Sequence, residues 1–226
     1  MAKTQIEDVN RNIYDIKNKD DYDFKMEKGL NREIVEEISK QKNDPDWMRE
    51  IKALEAYEKL ELPTWGPDLS ELNMEEIATY VRPKTKLNHN WEDVPEEIKD
   101  TFDKLGIPEA EKKSLAGVGA QYDSEVVYHS MKEDLKKKGV IYTDMETAVR
   151  EYPEIVKKHF MKCVPITDHK FVALHAAVWS GGSFVYVPEG VDVGIPLQSY
   201  FRLNSPESGQ FEHTMIIVEK GAKLHF

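Results

Sequence analysis

The chain has 226 residues, 31 Lys+Arg, 42 Asp+Glu, one Cys and a net charge of −11. That balance argues against a protein built to follow a nucleic-acid backbone, which needs a basic footprint. A single Cys excludes an internal disulfide framework or an all-Cys zinc site, and fits a reducing compartment. No apolar run approaches the ~18 residues of a membrane span, and Met1–Asp8 lacks the apolar core of a signal peptide. The expectation is a cytoplasmic protein with no membrane and no nucleic-acid partner.

The charge is unevenly spread. Residues 161–226 carry 5 Lys+Arg, 6 Asp+Glu and six of the twelve glycines; residues 1–160 carry 26 and 36 charges. Two kinds of structure are joined, so the fold class is α+β. We divide the chain into a flexible segment at 1–24, a helical domain at 25–160, and a β domain at 161–226 that the sequence leaves unfinished.

In chain order, residues 1–24 alternate charge and amide with few apolar anchors and read as mobile. Asp44-Pro45 predicts an N-cap with Pro in the first turn, followed by a helix carrying Trp47, Ile51, Leu54 and Glu58 up to Pro63 and Gly66-Pro67. Asn73–Glu76 reads as a capping box. Val94-Pro95 opens a helix with Ile98, Phe102 and Leu105, stopped by Gly106. Thr143–Glu146 is a second capping box, and Pro153 breaks or restarts the helix that follows.

Gly117-Val118-Gly119-Ala120-Gln121-Tyr122 begins like a dinucleotide fingerprint, but Tyr122 stands at the third glycine position and no clear strand precedes it. The reading is a glycine turn before a helix starting near Asp123 or Ser124. Beyond residue 160 the period changes. Phe171–Val178, Ser183–Val187, Leu197–Leu203, Phe211–Val218 and Ala222–Phe226 read as short strands, their starts ~11–14 residues apart. This spacing suits a sandwich, a barrel or a β-solenoid. The alternation at Ala222–Phe226 stops without a cap, so the chain reads as the N-terminal piece of something longer.

Cys163, between Lys162 and Val164-Pro165, reads as a small buried residue, the usual state of a free Cys. His169, His175, His213 and His225 fall in the strand region without His-x-His spacing, and Glu212 and His213 point to opposite strand faces, so no metal site is predicted. Trp65, Trp179 and Tyr186 read as core or half-exposed aromatics. Tyr200, Arg202 and Asn204 share one strand face, with Phe201 and Leu203 on the other.

Several segments together resemble one family. They are Ser114–Glu125, Lys138–Tyr142, Phe171–Val191, Tyr200–Asn204 and Gly209–Thr214, in order and spacing, and the likeness runs from about residue 25 to the end. The family is that of SufB, the scaffold subunits of the SUF iron–sulfur cluster assembly system; the Gly117–Glu125 segment separates it from its sister SufD. The resemblance implies a helical N-terminal domain followed by the first turns of a right-handed parallel β-helix. It implies a scaffold rather than an enzyme, with a nascent iron–sulfur cluster as cofactor in the full-length protein and a reduced flavin in the complex. The partners it implies are a SufC-type ATPase, SufD or a second SufB subunit, and a sulfur donor (SufU or SufE with a cysteine desulfurase). The family's sulfur-entry Cys and cluster ligands match no residue here, so no catalytic, cofactor or metal residue is assigned. Arg202 and Asn204 match positions near the family's interior sulfur route, where guanidinium and amide donors would stabilise a persulfide anion. The alternatives are a β-helix or cupin-like carbohydrate-active enzyme and an acidic protein-interaction module.

Overall fold

The computed structural model describes residues 22–48, 51–104, 115–203 and 205–226. In order these form β1 (Tyr22–Lys25), α1 (Arg32–Lys42), α2 (Ile51–Lys59), β2 (Val81–Pro83), α3 (Glu96–Lys104), β3 (Gly117–Tyr122) and β4 (Glu125–Met131). Then come α4 (Glu133–Lys137), β5 (Ile141–Asp144), α5 (Met145–Glu151), α6 (Pro153–His159), α7 (Lys170–Val178), β6 (Ser183–Val187), β7 (Leu197–Arg202) and β8 (Met215–Val218). The architecture is mixed α/β, with small sheets and, among the described residues, no closed barrel. None of the described helices is long and apolar enough to cross a membrane.

The sequence at α1 explains its ends. The Asn31 side chain accepts from the Ile34 amide at 2.9 Å, and Asn43 closes the helix in the left-handed region at φ 56°, both conformations that Asn tolerates. Ile34, Val35 and Ile38 face inward and pack with Leu54 of α2, Tyr80, and Leu174 and Ala177 of α7.

Helix α7 corrects the strand expected at Phe171–Val178. A short, nearly continuous apolar run does not distinguish a buried strand from a buried helix by periodicity. Ala173, Leu174, Ala176 and Ala177 favour the helix, and all four are buried.

The glycines at 117 and 119 give the second correction. They lie in β3, in the middle of a sheet ordered β4-β3-β7, antiparallel to β4 and parallel to β7. All six residues of β3 are buried. A Cβ at Gly117 would sit 2.7 Å from the Tyr142 ring, and one at Gly119 would sit 3.0 Å from the Tyr142 hydroxyl. The alternating glycines thus make a slot for Tyr142 of β5, whose hydroxyl donates to Gln198 O at 2.7 Å and lies 2.7 Å from Ser199 Oγ. Where a helix was expected from Asp123, a tight turn leads into β4, with Asp123 at φ 55°.

The other sheet is ordered β5-β6-β8, with β6 and β8 parallel. Ser183–Val187 and Leu197–Arg202 are strands as predicted, and only Met215–Val218 of the run from Phe211 is one. Ala222–Phe226 is not a strand: it runs beside residues 191–197 through a single parallel bridge, Asp192 to Lys223, and a bond from the Leu197 amide to His225 O. The stretch read as helical also holds β2 to β5, and Tyr22–Phe24, read as mobile, lie in β1. Residues 1–21 lie outside the described residues, as do Leu105 and Gly106.

Caps were legible, their consequences less so. Asn73 accepts from the Glu75 amide at 3.1 Å, yet opens only a 3-10 turn at Met74–Glu76. Pro153 restarts the chain as α6, and Val94-Pro95 leads into α3 with Ile98 and Phe102 buried. The second box is offset by one residue. Asp144, not Thr143, caps α5, accepting from the Thr147 amide at 2.8 Å. Glu146, expected to reach back to the cap, is buried in the core.

Candidate functional site

The turn Gly181-Gly182, between α7 and β6, is the centre of a buried polar region. Both glycines have positive φ, 67° and 93°. Their amides are held by side chains from two different elements: Gly181 N–H donates to Glu146 Oε1 at 2.5 Å, and Gly182 N–H to Gln121 Oε1 at 2.8 Å. Gln121 completes its own bonding by donating to Asp123 O at 3.0 Å. A Cβ at Gly181 would meet the Gln121 carboxamide at 2.3 Å, and one at Gly182 the His213 backbone at 2.2 Å.

Around this turn lie carboxylates and one ammonium. Lys42 Nζ donates to Trp179 O at 2.8 Å, pairs with Asp44 Oδ2 at 3.1 Å and sits 3.4 Å from the centre of the Trp179 ring. The Lys42 and Asp44 side chains are 1% and 2% exposed, so the pair is desolvated and the indole face supplies further attraction. Tyr80 donates its hydroxyl to Glu125. Burial raises the Glu125 carboxyl, opposed by the Tyr80 bond and the Lys42 and Arg82 charges. Burial and the Glu125 charge push Glu146 up to about 8, against Lys42. Glu146 is therefore largely protonated at neutral pH.

A second group adjoins it. His175 Nε2 lies 2.8 Å from His213 Nδ1, one ring donating to the other. Burial lowers both imidazoles. His213 is held down to about 3 by burial, the neighbouring His175 and the Lys42 charge, and His175 by burial and Lys42. Both shifts favour the uncharged rings, which share this one hydrogen bond. Phe160 and Trp179 pack on His213 at ring distances of 4.4 and 5.9 Å.

Of the residues singled out in the sequence, Arg202 ends β7, half-buried beside Tyr122 of β3, and its carbonyl accepts from the Asp123 amide at 3.0 Å. Its guanidinium counteracts the rise of the Tyr122 hydroxyl, which burial pushes up to about 12. Asn204 lies outside the described residues. Cys163 corrects its expectation: it is exposed, on the loop between α6 and α7, because that loop passes over the surface instead of entering a strand. Trp179 is core, Tyr186 half-buried and Trp65 67% exposed. His175 and His213 come together although their spacing gave no sign of it. Among the described residues no group of three or more His, Cys, Asp or Glu could hold a metal ion.

Sequence reasoning missed Lys42, Gln121, Glu125 and Glu146. Only Lys42 left a signal, since it follows Ile34, Val35 and Ile38 at helical spacing on the buried face of α1.

Comparison with known proteins supplies the decisive observation. The pattern described as SufBD protein N-terminal region matches residues 30–199. The chain belongs to the SufBD family. It is 53% identical over 228 residues to the iron-sulfur cluster assembly protein SufB of Bacillus subtilis (strain 168), covering 100% of this chain and 49% of that protein. It is 54% identical over 205 residues to an iron-sulfur cluster assembly SufBD family protein of Staphylococcus aureus (strain USA300), covering 90% of this chain and 44% of that protein. The chain thus spans about half the length of the curated relatives it matches. All the segments quoted for the SufB resemblance lie within the stretch aligned to Bacillus SufB.

Proposed function

We propose that this chain forms the N-terminal part of a SufB-type scaffold for iron–sulfur cluster assembly. The observation that carries the reading is the 53% identity to Bacillus SufB across the whole chain. In this reading the nascent cluster is cargo, built in a complex with a SufC-type ATPase, a SufD or second SufB subunit, and a persulfide-delivering sulfur donor. The ligands that hold the cluster belong to the half of the relatives' length not matched here. The reading is a scaffold without turnover chemistry of its own, in the cytoplasm.

The pairing pattern supports a β-helix. Phe184 pairs in parallel with Met215, and Asp192 with Lys223, both at an offset of 31 residues. Equal offsets at two places are what successive coils of a solenoid produce. Arg202 and Asn204, on β7 and just beyond it, are assigned to the interior sulfur route, where Arg202 would offer hydrogen bonds to a persulfide anion. Gly117 and Gly119 lie within a strand and provide no phosphate loop, so they do not enter the reading of a flavin site. The carbohydrate-active alternative gains nothing from Glu125 and Glu146, because Glu146 is buried and Glu125 is half-buried with its carboxylate bonded to the Tyr80 hydroxyl.

The test is a chimera joining residues 1–226 to the unmatched half of Bacillus SufB. It should load a cluster with the sulfur donor and ATPase present, read by visible absorbance and by iron and sulfide content. A well-folded chimera that loads nothing refutes the scaffold reading. Arg202→Ala in the same chimera should reduce sulfide incorporation by about tenfold if it removes a charge-assisted bond to the persulfide, with the circular dichroism spectrum unchanged.

A further inference from the structure

A half-open cleft of about 580 Å³ lies between the α6–α7 loop, the first turn of α7 and strand β8. Its size is that of a small-molecule site. Val164, Phe171, Val172, Met215 and Ile216 form its walls. Val164 and Ile216 stay 47% and 42% exposed, so apolar surface remains open to solvent with no part of the described chain covering it.

The polar groups are gathered on the loop side. Lys162, His159 and His169 line the cleft there. Residues 157–175 contain four lysines and one acid, Asp168, in a chain of net charge −11. Two of those lysines are engaged: Lys157 pairs with Glu154, and Lys170 donates to the carbonyls of Tyr57 and Leu60. The Lys162 side chain makes no ion pair or hydrogen bond among the described residues and is exposed. Helix α7 adds its N-terminal end, with His169 as N-cap making no side-chain capping bond, and helix N-termini favour anions. Glu212 is the one carboxylate among the lining residues, and its Oε2 is occupied by the Thr214 hydroxyl at 2.8 Å. The His175–His213 pair lines the cleft through uncharged rings.

We infer that this cleft binds a small amphipathic anion, its apolar body against Val164, Val172 and Ile216 and its charged group beside Lys162 and the start of α7. The inference uses only the cleft's geometry and charge and does not depend on the scaffold reading. An acidic peptide could share the charge but would not need a concave volume of this size.

The probe is 8-anilinonaphthalene-1-sulfonate, with the neutral N-phenyl-1-naphthylamine as a control of similar apolar body. The sulfonate should bind the folded 226-residue chain saturably at one site, with blue-shifted fluorescence. Cys163 lines the cleft and is the only thiol, so saturation should slow its alkylation by iodoacetamide by about tenfold, as occupancy of roughly nine sites in ten requires. Lys162→Glu should weaken the sulfonate by about tenfold, the worth of one charge-assisted contact, and leave the neutral probe unchanged. Val164→Asp should weaken both. Both substitutions are at exposed positions and should leave thermal unfolding unchanged. Non-saturable binding, equal response of the two probes to Lys162→Glu, or unprotected Cys163 would overturn the proposal. So would protection of Cys163 by a Glu-rich, Leu-containing peptide but not by the sulfonate, which would make the cleft a peptide site.

Discussion

Two polar groups, one buried and one half-buried, meet at Trp179 and are built differently. On the Lys42 side, an ammonium, several carboxyls and a phenol are tied by directed bonds to three backbone positions, Trp179 O and the Gly181 and Gly182 amides through Glu146 and Gln121. On the other side, His175 and His213 share one bond within a shell of aromatic rings. The first group solves the cost of burial by pairing charges, the second by having none. Their responses to pH should therefore be opposite in direction, although burial is the first cause in both.

The hinge between the two is Gly182, which touches both through the Gln121 side chain and the His213 backbone. Gly182→Ala should have the largest effect, costing more than ~3 kcal/mol because positive φ and a backbone clash act together. Chemical denaturation would measure it, and a loss under 1 kcal/mol would mean the two groups are not packed through this turn. Lys42→Met comes next. It leaves Asp44 buried and unpaired, at a cost of about 3–5 kcal/mol, and adding Asp44→Leu should recover much of that. A single variant as stable as the parent would show that the charge pair is not the organising bond.

The pH effects are smaller and set the sharpest contrast. Glu146 rises from 4.5 to about 8 on folding, facing Glu125, Asp144 and Lys42. The folded chain holds this proton more tightly, so the contribution is full below about pH 4.5 and is lost as pH rises through about 8. His213 falls from 6.5 to about 3, facing His175 and Lys42. Its contribution is full above about 6.5 and is lost as pH falls towards 3. Opposed slopes between these limits leave a stability plateau at mildly acidic pH. Glu146→Gln should flatten the alkaline fall and His213→Asn the acid fall, each by a few kcal/mol at the extremes, seen as urea midpoints across pH. An alkaline fall retained in Glu146→Gln would assign it to another group.

What the sequence made legible follows from how local each signal is. Asn73, Pro153 and the strands at Ser183 and Leu197 were readable because caps and β-branched runs act within a few residues. The helix at Phe171–Val178 was not, since a fully buried segment has no polar face to reveal its period. Glu146 was misread for a related reason: the box Thr143–Glu146 is a local pattern, but Gly181, which claims the carboxyl, is 35 residues away. The His175–His213 contact spans 38 residues and leaves no trace in spacing. Family membership was legible because it rests on many segments at once, whereas Arg202 could be located but its role could not be read from one strand.

The glycine slot in β3 has a consequence for how the two sheets find each other. Side chains on a strand alternate faces, so a slip of β3 by one residue would put Val118 or Ala120 where Gly117 and Gly119 now admit the Tyr142 ring. The ring would then have no room, and its hydroxyl would lose Gln198 and Ser199. Tyr142 and the two missing side chains work as key and keyway, so the alignment of the two sheets is fixed by where the glycines leave room for the ring.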